Sequence, residues 1–513
     1  MLGLGHLAYP FGGDQALFAV GALDLSRGAV LYQDFWDFKQ PGIFAFYYAA
    51  GRLFGFDETG IHAFELAWML ALSVVIMLAM RGWRPGPLAA IVAPVLTVGH
   101  YYAVSESWHL TQVEGLVGLP MLLALWLAST PDASARTTRL YASGVMGGVV
   151  LLFKLMFLPI LVAFWLTALV TTIRRQESPG RRSVVVVATI VAGVLSPLLA
   201  TLAYFAWHDA LGVTWWTWFD FPRLALEQIP APSPWRLVGA LEWFAARFSW
   251  MVALAVLGAV ASARRRADAM AWNLIWWCGL GVVVVLAQVQ SWWPYHFLLL
   301  FVPLGMLAAI GIDTLWTWIR QADASMATRG GAAALLAALI VLPSPTIGLV
   351  ARKAVALVEA RGALSSETRL RFQQDVSKGY VAVLGEVGFL REPDSLPGRI
   401  YVFGDPLYHF LSGRGQAISL NGWFMEMALA DQWRQIATQL DAARPPYIFV
   451  ANGEADLVSH SPEVTSLLRQ AYRPFRKSQA GSWYVRTTST QRAEPPGLDA
   501  ERGVDLAVAA ACC

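Results

Sequence analysis

The stretch Gly12–Gly42, GGDQALFAVGALDLSRGAVLYQDFWDFKQPG, decides how the rest of the chain is read. It is the one long N-terminal segment that is not a clean apolar span. Gly12 and Gly13 give the backbone unusual freedom directly before the carboxylate of Asp14. Ala16 to Leu25 fits a short helix, with Leu17, Val20 and Leu23 at helical spacing. Tyr32, Phe35, Trp36 and Phe38 then interleave with Asp34, Asp37 and Lys39, and Pro41-Gly42 closes the run. Aromatic rings mixed with charges, next to strongly apolar sequence, mark a loop at a membrane–water interface.

The chain around this loop is apolar. Of 513 residues, 57% are hydrophobic and 14% charged, with 23 Trp, and the mean hydropathy is +0.50. Soluble domains carry about a quarter charged residues, so this is a polytopic membrane protein. A net charge of +3 on this length carries no nucleic-acid signature. About ten spans can be read, at 61–80, 86–104, 114–130, 139–154, 156–173, 184–206, 248–263, 270–290, 294–318 and 331–350. Arg81 and Arg84, Arg136 and Arg139, Arg174 to Arg182, Arg264 to Arg266, and Arg320 with Arg329 fall on alternate connections. Positive charge marks the cytoplasmic face. The first loop and everything after residue 350 then lie outside the cytoplasm, and the expected location is the plasma (inner) membrane.

The expected fold class is mostly α, a polytopic transmembrane bundle with a small extracytoplasmic C-terminal α/β domain. Residues 1–60 form the outer loop with interfacial helices, 61–350 the bundle, 365–486 the soluble domain and 487–513 a disordered tail. Strand-like runs at 399–404, 447–453 and 482–486 alternate with helical segments at 424–443 and 462–472, after an amphipathic helix over 369–389. Cys278 lies in a span and Cys512 and Cys513 in the tail, giving neither metal spacing nor a disulfide framework.

An acidic residue, a short helix, a turn with Gly28 and Tyr32, and then Asp34-x-Trp36-Asp37-x-Lys39-x-Pro41-Gly42 together resemble the first outer loop of the C-type (GT-C) membrane glycosyltransferases. These include protein O-mannosyltransferases and lipid A aminoarabinose transferases. The resemblance implies a sugar donor carried on polyprenyl phosphate, an outer-face lipid, glycan or protein acceptor, and no nucleotide. It also implies a span immediately before the loop. Only thirteen residues precede Asp14, so the expectation is an N-terminally truncated chain. A soluble domain ends many relatives, and DPLYHFLSGRG (405–415) resembles a recurrent family segment, expected to pack or to contact acceptor. A divalent metal occurs in some relatives, but no ligand set is readable here.

Transfer from a phosphate carrier needs a base for the acceptor hydroxyl and a cation for the departing phosphate. Asp14 is the candidate base; outside its motif it would read as a solvated loop aspartate. Gln15 follows it where many relatives carry an acid, so a carboxylate pair at 14–15 is not expected. Glu114, at the membrane edge in SESWHLTQVEG, is the second acidic candidate, with a helix-dipole role as the plain alternative. Glu106 and His109 are its fallbacks. Lys39 matches the family's Lys-Pro-Pro-like motif with Gln40 in place of the first proline, and is a candidate phosphate contact. Lys154 is a second one, since an intramembrane lysine is costly and points to function by default. His296, after SWWPY, is a candidate orienting or headgroup residue, with a structural histidine as the commoner reading. The aromatic, proline-punctuated loop 207–247 reads as an interfacial belt that could also close over a donor.

Gly3-x-Gly5-x-x-Ala8 has no strand–helix context and is no dinucleotide fingerprint. A transporter or lipid flippase is the alternative class, as is a truncated inactive transferase. Transporters place broken helices and polar groups at mid-membrane, whereas the ionisable residues here gather at the outer edge. The topology is directly testable. A reporter fused after Arg486 should be active outside the cytoplasm and one fused near Arg265 inside; activity of both on the same side would overturn the arrangement.

Overall fold

Up to Glu359, the described apolar segments are helical. In the computed structural model, residues 2–83, 87–129, 136–174, 179–230, 232–263, 269–289, 291–320, 325–327, 330–331, 333–335, 344–359 and 366–487 are described. Among them, six helices are long and apolar enough to cross a membrane: Glu58–Trp83, Leu155–Arg174, Gly180–Trp207, Trp235–Ala263, Ala269–Ala287 and Pro294–Arg320. Leu88–Val104 and Val113–Ser129 are shorter apolar segments, and Arg136–Phe153 is a further helix of 18 residues. Residues 332 and 336–343 of the expected span at 331–350, and the tail beyond Thr487, lie outside the described residues. Pro294–Arg320 is central, with 83% of its apolar window buried, whereas Gly180–Trp207, at 17%, presents its side chains outward to the apolar surroundings.

The helices meet closely where glycine permits. A Cβ at Gly258 would collide with the Leu307 carbonyl oxygen, and one at Gly311 with that of Leu254. The backbones of Trp235–Ala263 and Phe301–Arg320 therefore touch, as small residues allow in membrane interfaces.

The region 207–247 departs from the loop reading. Leu211–Gln228 is helical, with a π-type turn over Trp216–Asp220, and Trp235–Ala263 is one helix. Apolar length alone misses its first turns because Arg236, Glu242 and Arg247 interrupt the hydropathy without breaking the helical period. Pro41 likewise begins a helix, Pro41–Phe54, since its fixed φ and missing N–H suit the first helical position. The amphipathic segment near 369–389 is two helices, Ser366–Val376 and Lys378–Glu386. Ser377 separates them, its side chain accepting from the Tyr380 N–H.

The C-terminal part is a four-stranded mixed sheet in the order β1-β2-β4-β3. β1 (Tyr401–Phe403) runs parallel to β2 (Tyr447–Ala451), joined through the Ala430–Ala443 helix. β4 (Gly481–Arg486) is antiparallel to β2, with Phe449 opposite Trp483. Among the described residues β3 (Tyr472–Lys477) pairs only with β4; it bulges between Pro474 and Arg476 and is exposed after Tyr472. Its Pro and cations hid it from a hydropathy reading.

This sheet is tied to the first loop. The Trp36 N–H donates to the Ser419 carbonyl (2.9 Å), and the Asn421 side-chain amide donates to the Trp36 carbonyl (2.8 Å). The Trp36 indole donates to Thr217 (3.0 Å), and its ring packs on Trp216, Phe221 and Phe424. Three distant parts of the chain thus converge on one tryptophan.

Overpacking a tight interface typically costs about 1–3 kcal/mol. Gly258→Leu should therefore lower the thermal midpoint of the detergent-solubilised protein, while Gly279→Leu, with open space around it, should not. Equal midpoints would disprove the close crossing.

Candidate active site

Gly13 has φ +49°, and a Cβ there would lie 2.8 Å from the Trp423 ring, so this position needs glycine on both counts. It sets Asp14 at the first residue of the Asp14–Ser26 helix. Asp14 Oδ1 accepts from the Trp423 indole N–H at 2.8 Å and faces the Lys39 ammonium at 3.5 Å. Its Oδ2 accepts from the Tyr295 hydroxyl at 3.3 Å. The Lys39 ammonium also lies 3.7 Å from Asp37 Oδ1, and the Lys39 N–H donates to that same oxygen at 2.9 Å.

Asp37 is fully buried, and among the described residues its Oδ2 has no hydrogen-bond partner. Burial pushes its carboxyl above the usual range, against the pull of Lys39. Burial works to lower the Lys39 ammonium, but Asp14 and Asp37 outweigh it and the net direction is upward. The lysine is thus held as a cation. Its backbone is fixed by Tyr32, a buried residue at φ +70°, whose hydroxyl donates to the Lys39 carbonyl at 2.8 Å and accepts from the Trp218 indole at 2.9 Å. A non-glycine residue at positive φ is a local cost, sustained here by those surrounding bonds.

Glu114 is buried and takes the Lys154 ammonium at 2.7 Å. That ammonium also donates to the Gln288 side-chain oxygen. His296 Nε2 lies 3.9 Å from the same Glu114 oxygen, and among the described residues its buried Nδ1 has no hydrogen-bond partner. Tyr295 and His296 are neighbours in sequence, so one dipeptide touches both Asp14 and Glu114. A second tie runs through the wall behind them. The Gln15 amide donates to the Leu110 carbonyl (3.0 Å) and to the Thr111 hydroxyl (3.1 Å). Thr111, at φ +54°, accepts from the Tyr47 hydroxyl at 2.6 Å and donates its N–H to Glu65 at 2.9 Å. Gln15 therefore anchors the segment leading to Glu114.

Asp14, Lys39, Glu114, Lys154 and His296 are brought together. Glu106 and His109 are engaged elsewhere. Glu106 pairs with Arg247 at 2.9 Å, and its N–H donates to His109 Nδ1 at 2.9 Å. Burial pushes the His109 imidazole down to about 3, so it is neutral and a poor proton acceptor at pH 7. Among the described residues no group of three or more His, Cys, Asp or Glu could hold a metal ion. Ammonium and indole donors face the carboxylates instead, so these residues do not fit the divalent ion that the resemblance allows.

Sequence reading missed Tyr295, although SWWPY was noted for the histidine after it. It also missed Gln288, Asp37, Trp423 and Asp405. Asp405 is half-buried and takes the Leu407 N–H at 2.8 Å. Burial raises its carboxyl, and the charge of Asp14 adds to the shift.

Two solved structures share this architecture, both of ArnT from Cupriavidus metallidurans. One is bound to undecaprenyl phosphate (TM-score 0.59) and one is in the apo state (TM-score 0.57). Each alignment is 14% identical and covers 96% of this chain and 97% of the other. The chain has the ArnT fold. At this identity the likeness establishes architecture only, and it spans the helical bundle and the C-terminal sheet together. No family model and no curated sequence matches the chain.

Within this ArnT-like bundle, the Glu114–Lys154 pair is open to test. Removing one partner of a buried ion pair typically costs about 3–5 kcal/mol. Lys154→Met should lower the thermal midpoint strongly, and adding Glu114→Gln should recover most of the loss. Failure of the second change to recover anything would mean that the two charges do not depend on each other.

Proposed function

We propose that the chain is a membrane glycosyltransferase that moves a sugar from a polyprenyl-phosphate donor to an acceptor on the extracytoplasmic side of the inner membrane. The observation that carries this reading is the Lys39 ammonium, 3.5 Å from the Asp14 carboxylate in the loop that resembles the C-type transferases. The fold shared with ArnT, of which one structure is bound to undecaprenyl phosphate, supports it.

The chemistry follows from the charges. The acceptor hydroxyl attacks the anomeric carbon and passes its proton to Asp14. The bond between that carbon and the phosphate oxygen breaks, and the oxygen leaves with the electron pair beside Lys39. Displacement in one step inverts the anomeric centre. Lys39 sits 3.5 and 3.7 Å from its two carboxylates, longer than a tight charge-assisted bond. Its ammonium therefore has capacity for a further anion. A fixed cation here favours the transition state, where phosphate charge is greatest. Lys154 is engaged by Glu114 and Gln288, so it reaches a phosphate only by sharing its ammonium with them. We assign Glu114 to the acceptor side, oriented by Lys154 and His296. Hexosyl or pentosyl donors and lipid, glycan or protein acceptors all suit this scheme.

General-base catalysis contributes on the order of a hundredfold to ten-thousandfold. Asp14→Asn should lower turnover by that much, with little change in protein level. Lys39→Ala should weaken donor use and turnover together. Sugar transfer from a polyprenyl-phosphate donor checks both, and parent-rate transfer by Asp14→Asn would remove Asp14 as the base.

A further inference from the structure

The C-terminal sheet region supplies a side chain to the candidate carboxylate itself. The Trp423 indole N–H donates to Asp14 Oδ1 at 2.8 Å across 409 positions of sequence. Its reach is fixed by the two residues before it. The Asn421 Oδ1 accepts the Trp423 N–H at 2.9 Å, while the Asn421 amide holds the Trp36 carbonyl at 2.8 Å. A Cβ at Gly422 would collide with the Val402 carbonyl of β1, so the segment lies flat against the sheet. Asn421-Gly422-Trp423 is clamped between β1 and the first loop, with the indole directed at Asp14. A Cβ at Gly13 would fall 2.8 Å from the Trp423 ring, so the same segment packs on the residue before Asp14.

The two oxygens of Asp14 are not equivalent. Oδ1 faces both the indole and the Lys39 ammonium, whereas Oδ2 has the longer contact to Tyr295, at 3.3 Å. We propose that Trp423 is a positioning residue that saturates Asp14 Oδ1 and leaves Oδ2 as the oxygen that receives the acceptor's proton, so that the C-terminal region completes the catalytic site. This rests on Asp14 being the base. The acceptor hydroxyl approaches from the Oδ2 side, and its proton moves to Oδ2 as the new glycosidic bond forms. Without the indole the carboxylate turns about its χ2 axis, and the fraction of molecules with Oδ2 correctly placed falls. Such a loss acts on turnover and not on donor binding.

The experiment is a double-mutant cycle in the full chain, with transfer measured from a polyprenyl-phosphate sugar donor and with protein level and thermal midpoint recorded for each variant. The variants are Trp423→Phe, Asp14→Asn and the two combined. A hydrogen bond to a charged group supports a loss in the range of tenfold to about a hundredfold. Trp423→Phe should lower kcat by about that factor with donor KM changed less than about twofold. In the Asp14→Asn background it should cost less than about twofold, because the group it positions is gone. If Trp423→Phe fails to fold, Trp423→Met replaces it, filling the space against Gly13 without a hydrogen-bond donor. Losses that multiply independently in the double variant would make Trp423 purely structural and overturn the proposal. Parent kcat in Trp423→Phe, alongside a crippled Asp14→Asn, would overturn it while leaving Asp14 as the base. Parent kcat in Asp14→Asn would remove both.

Discussion

A carboxylate in an apolar setting must be met by donors, and the protein meets this need at Asp14 with groups from three separate regions. Lys39 comes from the first loop, Tyr295 from the start of the central helix and Trp423 from the C-terminal sheet region. Each contact requires its own element to be placed to within a few tenths of an ångström. The close helix crossings, the strained Tyr32 turn and the clamp on Trp36 all serve that placement. Asp37 beneath Lys39 adds a second carboxylate, so the ammonium sits between two anions and stays charged.

The architecture was legible because it follows from composition and period. Most of the long helices and three of the four strands came from hydropathy and residue pattern. β3 did not, because Pro474, Arg473, Arg476 and Lys477 look like loop chemistry. The helix from Trp235 was read too short for a related reason: charged residues within its first turns lower the hydropathy while leaving the helical spacing intact.

Parts of the candidate site were legible for a different reason. Asp14 and Lys39 lie 25 positions apart in one motif-like loop, so a local reading finds them together. Glu114 and Lys154 each stood out as an ionisable group at a membrane edge. Trp423 carried no signal, since a chain with 23 tryptophans gives no reason to choose one. Asp405 was quoted within a recurrent segment without a role, because its closeness to Asp14 exists only after the sheet folds back on the loop. Gln15 looked like a departure at a catalytic position and instead anchors the wall that leads to Glu114.

The exposed outer strand of the sheet has a further consequence. Among the described residues β3 pairs on one side only, and an edge of this kind leaves a row of backbone groups able to recruit another chain. Pro474 removes one donor from that row, the bulge beside it disturbs the regular spacing, and Arg473, Arg476 and Lys477 surround it with like charge. Two copies brought side by side in the crowded plane of a membrane would repel at this edge. The residues that made the strand hard to recognise are those that keep neighbouring molecules from zipping together.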